Sequence, residues 1–126
     1  MENKIYKSRE TGAIFSPIGN FEGALSLNGE ELQELREFSP ELEGKEKHVP
    51  IIEVKGNKVT VKVGSIEHPM QEDHYIEMIQ LLQNGKVIFE KRLYPGQKPM
   101  AVFHVEDTDN LRAREFCNLH GLWSSE

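Results

Sequence analysis

From Lys45 onward, hydrophobic and polar positions alternate in short runs separated by turn residues. Ile51, Ile52 and Val54 lead into Gly56-Asn57, after which Val59, Val61 and Val63 alternate with Thr60 and Lys62. Alternation around a two-residue turn containing glycine predicts a β-hairpin, because successive strand side chains point to opposite faces. Asn84-Gly85, between HYIEMIQLLQ and KVIFEKRLY, predicts a second hairpin. Pro95-Gly96 predicts a further turn, and MAVFHVE (100–106) alternates as a strand. DTDNLRAR (107–114) is polar and reads as a loop or a short helical turn. One run reads two ways: Ile76, Ile79 and Leu82 also share a helix face that Asn84-Gly85 would cap. The short spacing between turn signals favours strands. Several short strands with regular turns predict a mainly β protein, a β-sandwich.

Residues 1–44 break the pattern. YKSRETGAIFSPIGNFEG carries scattered turn residues and little periodicity, and GEELQELREF suits either a short amphipathic helix or an edge strand. The change falls near residues 37–44, where the polar stretch SPELEGKEK begins, and divides the chain into 1–37 and 38–126. A length of 126 residues allows one average domain, or one domain with a small appendage.

Composition narrows the function. No run approaches the roughly 20 apolar residues of a membrane helix. The polar start MENKIYKSRE lacks the apolar centre of a signal peptide, so the expected compartment is the cytoplasm and no membrane partner is expected. A single cysteine excludes a disulfide framework and suits a reducing compartment. The net charge of −6 argues against nucleic acid as a partner. It is also uneven: residues 1–44 hold nine acidic and four basic side chains, residues 45–126 twelve and eleven. An anion approaching the second region meets little net repulsion.

That second region holds all five histidines and the cysteine. His48, His68, His74 and His120 lie beside turn signals or at predicted strand ends, where a rigid scaffold presents functional groups. His104 alternates within MAVFHVE and reads as an ordinary strand residue. Singly, each histidine is unremarkable. Together with Cys117, in the Cys-x-x-His spacing of CNLHGLW, they form a donor set for a transition metal. Structural zinc sites are closed four-ligand tetrahedra, usually richer in sulfur. Blue-copper sites use two histidines, one cysteine and a weak axial ligand, but here Leu122 and Trp123 follow His120. Four imidazoles and one thiolate suit a five-coordinate iron with one position open.

Four separated motifs, EKHVP (46–50), EHPM (67–70), DHYIEMI (73–79) and CNLHGLW (117–123), together resemble the superoxide reductase family that includes desulfoferrodoxin and neelaredoxin. The resemblance covers about residues 45–126. It implies a seven-stranded immunoglobulin-like β-sandwich and a single non-haem iron per chain. The implied ligands are His48, His68, His74 and His120 in the equatorial plane and Cys117 on the axis. It implies one-electron reduction of superoxide to hydrogen peroxide, with the iron re-reduced by an external rubredoxin-like donor. It also implies that Lys47 draws superoxide in by its charge, that Glu46 occupies the sixth position of ferric iron, and that the amides of Asn118 and Leu119 bond the cysteine sulfur. The alternative is an iron-binding or electron-transfer module without turnover.

The N-terminal stretch resembles the small rubredoxin-like or desulforedoxin-like domain of desulfoferrodoxins, with its metal-binding cysteines replaced. YKSRETG carries Ser8 and Thr11 where that motif has cysteines, and Ser26-Leu27, or a neighbouring pair before Gly29, stands near the second cysteine pair. Hydroxyls are poor substitutes for thiolates, so no second metal centre is expected in residues 1–37. A chain with this extension is expected to form a homodimer.

Overall fold

A computed structural model describes residues 3–38 and 48–125. All regular structure among them is β, as the alternation predicts. The chain divides into two compact units, Met1–Arg36 and Glu37–Glu126.

The first unit is built from two-residue strands: β1 (Tyr6–Lys7), β2 (Ile14–Phe15), β3 (Ser26–Leu27), β4 (Glu30–Glu31) and β5 (Gln33–Glu34). They form a three-stranded sheet ordered β2-β1-β5 and a β3-β4 hairpin. Asn28 and Gly29, both at positive φ (50° and 82°), turn that hairpin. Both signs are those of a type I′ turn, whose twist matches the strands it joins. GEELQELREF therefore supplies short strands rather than a helix.

The second unit is the sandwich. Its strands are β6 (Glu37–Phe38), β7 (Pro50–Lys55), β8 (Lys58–Val63), β9 (Ile76–Gln83), β10 (Lys86–Arg92), β11 (Met100–His104), β12 (Leu111–Cys117) and β13 (Gly121–Ser124). One sheet runs β10-β9-β12-β13-β6 and the other β11-β8-β7. The predicted hairpins are present: Gly56-Asn57 joins β7 to β8, and Asn84-Gly85 joins β9 to β10 with φ of 52° and 78°. Val59, Val61 and Val63 of β8 meet Ile79 and Leu81 of β9, Ala113 of β12 and Phe103 of β11 in a single apolar core.

The run with two readings is a strand, and its burial explains the ambiguity. β9 is covered on both faces, since Met78, Gln80 and Leu82 are buried as well as Ile79 and Leu81. A strand with two dry faces loses the polar-apolar alternation that identifies it. LRAR is a correction: it begins β12 rather than ending a loop. Arg112 and Arg114 look like solvent residues, but each is neutralised in place. Arg112 Nη1 donates to Glu37 Oε1 at 2.6 Å, and Arg114, 1% exposed, donates from Nη2 to Gln80 Oε1 at 2.6 Å and from Nη1 to Glu37 Oε2 at 3.3 Å.

Candidate metal centre

The sandwich brings four chain segments to one end. Cys117, the last residue of β12, pairs with Ile76 at the start of β9 and with Gly121 at the start of β13. Pro50, which begins β7, pairs with Val63, which ends β8. His48 therefore precedes β7, His68 and His74 lie between β8 and β9, and His120 ends the three-residue turn between β12 and β13. These are the strand ends where the sequence places them.

The rings converge. His48 lies 5.1 Å from His68, His68 4.8 Å from His74, His74 4.9 Å from His120, and His120 4.6 Å from His48, centroid to centroid. Four imidazoles thus form a closed circuit, each beside two others. Candidate ligand atoms of His48, His68, His120 and Cys117 lie within 4.8 Å of one another, and Cys117 Sγ is 3.8 Å from His120 Nδ1. His74 closes the circuit between His68 and His120. His104 stands apart, exposed on β11 opposite Lys58. Glu46 and Lys47, expected beside the iron, lie outside the described residues.

The site is graded in burial. Cys117 is fully buried and His68 is 2% exposed, His48 and His74 are half-buried, and His120 is exposed. Three buried ring nitrogens, His48 Nδ1, His68 Nε2 and His74 Nε2, make no hydrogen bond. For His68 the tautomer follows from its partner. Its Nδ1 lies 2.7 Å from the Pro69 carbonyl, which can only accept, so Nδ1 carries the proton and Nε2 presents a lone pair.

Burial pushes the Cys117 thiol above its ordinary pKa, while the amides of Leu119 and His120 pull it down and the charges of Glu115 and Glu77 push it up again. The net shift is upward, so the thiolate needs a cation beside it. A buried thiol without a counter-charge, with histidine nitrogens gathered within 4.8 Å of it, is a donor set that a transition-metal ion would satisfy. The sulfur's amide donors are a correction: Leu119 and His120 supply them, not Asn118. The Asn118 amide instead donates to the Tyr75 carbonyl at 3.2 Å, extending the β9–β12 pairing past the bulge at Cys117.

Three residues that carry no metal-ligand chemistry shape the site. Trp123 stacks on His48 (5.0 Å, 18°) and donates from Nε1 to the His120 carbonyl at 3.0 Å, so one indole braces two of the histidines. Phe38 packs on the other side of Trp123 at 5.1 Å. Gly121 has φ of 88°, and a Cβ there would stand 3.3 Å from the Phe38 ring. The signal for Trp123 and Gly121 is their adjacency in CNLHGLW; Phe38 carries no such signal. Glu115 is buried with neither carboxylate oxygen hydrogen-bonded, and burial holds its pKa well above the ordinary range.

The desulfoferrodoxin family model matches residues 41–126. The chain belongs to the desulfoferrodoxin family. Over 122 residues it is 46% identical to a desulfoferrodoxin homolog of Archaeoglobus fulgidus, covering 97% of this chain and 95% of that one. It is 39% identical to a superoxide reductase of Thermococcus kodakarensis over 98 residues, covering 64% of this chain and 85% of that one. Among solved structures, the superoxide reductase from Treponema pallidum superposes with a TM-score of 0.77 at 30% identity, covering 99% of this chain and 98% of that one.

In this desulfoferrodoxin-family chain the positions resembling the N-terminal metal motif are occupied by a hydrogen-bonded cluster. Ser8, fully buried, donates from Oγ to Glu30 Oε1 at 2.7 Å, and the Arg9 amide donates to Glu30 Oε2 at 2.7 Å. Ser8 Oγ also accepts from the Thr11 amide at 3.1 Å. The loop that resembles a metal-binding turn closes on a carboxylate.

Proposed function

We propose that this chain is a superoxide reductase with a single non-haem iron, held by His48, His68, His74, His120 and Cys117. Superoxide takes up one electron and two protons and leaves as hydrogen peroxide. The electron is restored by an external, rubredoxin-like donor. The observation that carries the reading is the closed circuit of four imidazoles above a buried thiol, in a chain similar along its whole length to a known superoxide reductase.

Iron held there would supply a one-electron couple between its ferrous and ferric states. The protein's own contribution is electrostatic and geometric. Imidazoles are neutral ligands, so they leave a divalent ion its positive charge and its attraction for a small anion. The Cys117 thiolate, shielded from water and bonded by two amides, is an electron-rich donor whose strength those amides moderate. The His68 proton stays on Nδ1, which keeps Nε2 a ligand through the cycle. His120, on the exposed rim, marks the side from which a small anion or a donor protein gains access.

We assign Lys47, next to His48, the role of attracting superoxide by charge. Glu46 we assign the role of a carboxylate that would bind to iron held there when no substrate is present. With Ser8 and Glu30 bonded to each other in the first unit, we expect no second iron there, and the external donor would then deliver its electron to iron held by the five residues above. The homodimer is likewise our reading.

The test is metal analysis and a visible spectrum of the oxidised protein, followed by pulsed superoxide on the ferrous form. One iron per chain, a thiolate-to-Fe(III) charge-transfer band lost in Cys117→Ser, and rapid oxidation with peroxide released are expected. An iron protein that superoxide does not oxidise would be an electron-transfer module instead. In Lys47→Ala the second-order rate at low salt should fall, and in Glu46→Ala the pH dependence of the ferric spectrum should change.

A further inference from the structure

We propose that Asn118 is the positioning residue that sets His74 relative to Cys117, and so fixes the shape of the donor ring; this rests on the iron reading above. His74 and Cys117 reach the site on different segments. The His74 segment is itself a tight turn, closed by paired backbone hydrogen bonds between Gln71 and His74 at 2.9 and 3.1 Å. A turn closed on itself has no intrinsic register against the strand beside it. The β9–β12 ladder reaches only to the Ile76–Cys117 pair, two residues short of His74, and Asn118 carries its register on to the turn.

Its side-chain Oδ1 accepts from the Tyr75 amide at 2.9 Å, and its Nδ2 donates to the Asp73 carbonyl at 3.0 Å. Its own backbone amide donates to the Tyr75 carbonyl at 3.2 Å. The peptide groups on both sides of His74 are therefore held by one residue, and that residue directly follows Cys117. A carboxamide presents a donor and an acceptor in one rigid plane, the complement of the two peptide groups it bridges. A shift of His74 toward or away from the sulfur must break at least one of these three bonds. His68 is oriented by Pro69 and His48 by Trp123; Asn118 does the same for His74 through its backbone.

A residue that merely stapled two loops for folding would, when removed, lower stability and leave the metal unchanged. A positioning residue alters the metal. The test uses the full chain as wild type, Asn118→Ala and Asn118→Gln. Glutamine keeps the chemistry but displaces the carboxamide by one methylene. Ferrous affinity is read by chelator competition, the ferric centre by electron paramagnetic resonance and by its charge-transfer maximum, and the metal-free fold by urea unfolding. Asn118→Ala should lose iron affinity by about 10–100-fold, the usual scale for groups that orient metal ligands, with a changed ferric signal. Asn118→Gln should fall between it and wild type. Wild-type affinity and spectrum in both variants, whatever the unfolding curve shows, would overturn the proposal. If the alanine chain does not fold, the glutamine chain decides by the same criterion. A wild-type protein that takes up no iron overturns the iron reading itself, and this inference with it.

Discussion

Replacing Trp123 with phenylalanine isolates what the indole does at the metal centre. The ring is 7% exposed, stacks on His48 at 5.0 Å, packs on Phe38 at 5.1 Å and donates to the His120 carbonyl at 3.0 Å. Phenylalanine keeps an aromatic face for His48 but removes the donor and part of the buried surface. The lost hydrogen bond costs about 1 kcal/mol net. The smaller ring leaves a partly filled cavity, which brings the total to about 2–3 kcal/mol. For a unit of this size that corresponds to a melting temperature lower by about 10 °C or more. A plain core residue would show the same loss. The discriminating measurement is iron retention against Phe103→Leu, a core substitution of comparable cost whose ring stacks on Phe89 instead. Trp123→Phe should bind iron more weakly by about tenfold or more, because the His120 carbonyl loses its anchor. Phe103→Leu should melt lower yet hold iron as wild type does. Equal iron affinities in the two variants would refute the bracing role and leave Trp123 an ordinary core aromatic.

Gly121→Ala should destabilise the second unit by about 1–2 kcal/mol in urea, because φ of 88° strains any side chain and the new methyl would press on Phe38. In the first unit, the Ser8 hydroxyl is the main cause holding the Glu30 carboxyl below its ordinary pKa. Ser8→Ala should let that pKa rise, as read by NMR titration, and an unchanged value would remove the cluster's role. A depressed carboxylate stabilises the fold above its ordinary pKa and loses that contribution as pH falls, so Glu30→Gln should flatten the acid limb of the unit's stability curve. Burial works against the Glu37 carboxylate, but the Arg112 hydrogen bond and the charges of Arg112 and Arg114 outweigh it and hold its pKa low. Its contribution too is present at neutral pH and lost on acidification. Glu37→Gln should cost about 2–4 kcal/mol at pH 7, since it removes the carboxylate charge paired with the buried Arg114, and should narrow the difference between pH 7 and pH 4.

What the sequence disclosed depended on which faces of a strand are wet. β7, β8 and β11 each have a solvent side, so their alternation is legible in IIEVK, KVTVKV and MAVFH. β9 and β12 are covered on both faces, and there the pattern fails: one resembles a helix face and the other a polar loop. Arg112 and Arg114 mislead because their partners, Glu37 and Gln80, lie far away in the chain. The donors were legible for a different reason. Imidazole and thiol are chemically rare, and their place beside turns is visible without knowing the fold. The residues that orient them, Asn118, Trp123 and Phe38, are not metal-ligand types, and their importance exists only in the folded contacts. Ser8 showed that a cysteine position had changed; that Glu30, 22 residues on, had closed the gap was not visible.

The contrast between donors and braces bears on how the centre forms. Four imidazoles within about 5 Å of their neighbours, beside a buried thiol, do not attract one another in the absence of a cation. Something else must hold them together. The β ladder holds Cys117 to Ile76 and Gly121, Pro69 fixes the His68 ring, Trp123 braces His48 and His120, and Asn118 grips the peptides around His74. None of these contacts needs a metal as a partner, so each brace acts on its donor directly. In a zinc-finger-like domain, by contrast, the ion's binding energy is the folding energy. Braces on every donor resist shifts in ligand position, so a metal ion held there would meet nearly the same ring whatever its charge. Ordinary core and turn residues therefore stand behind each of the five candidate donors.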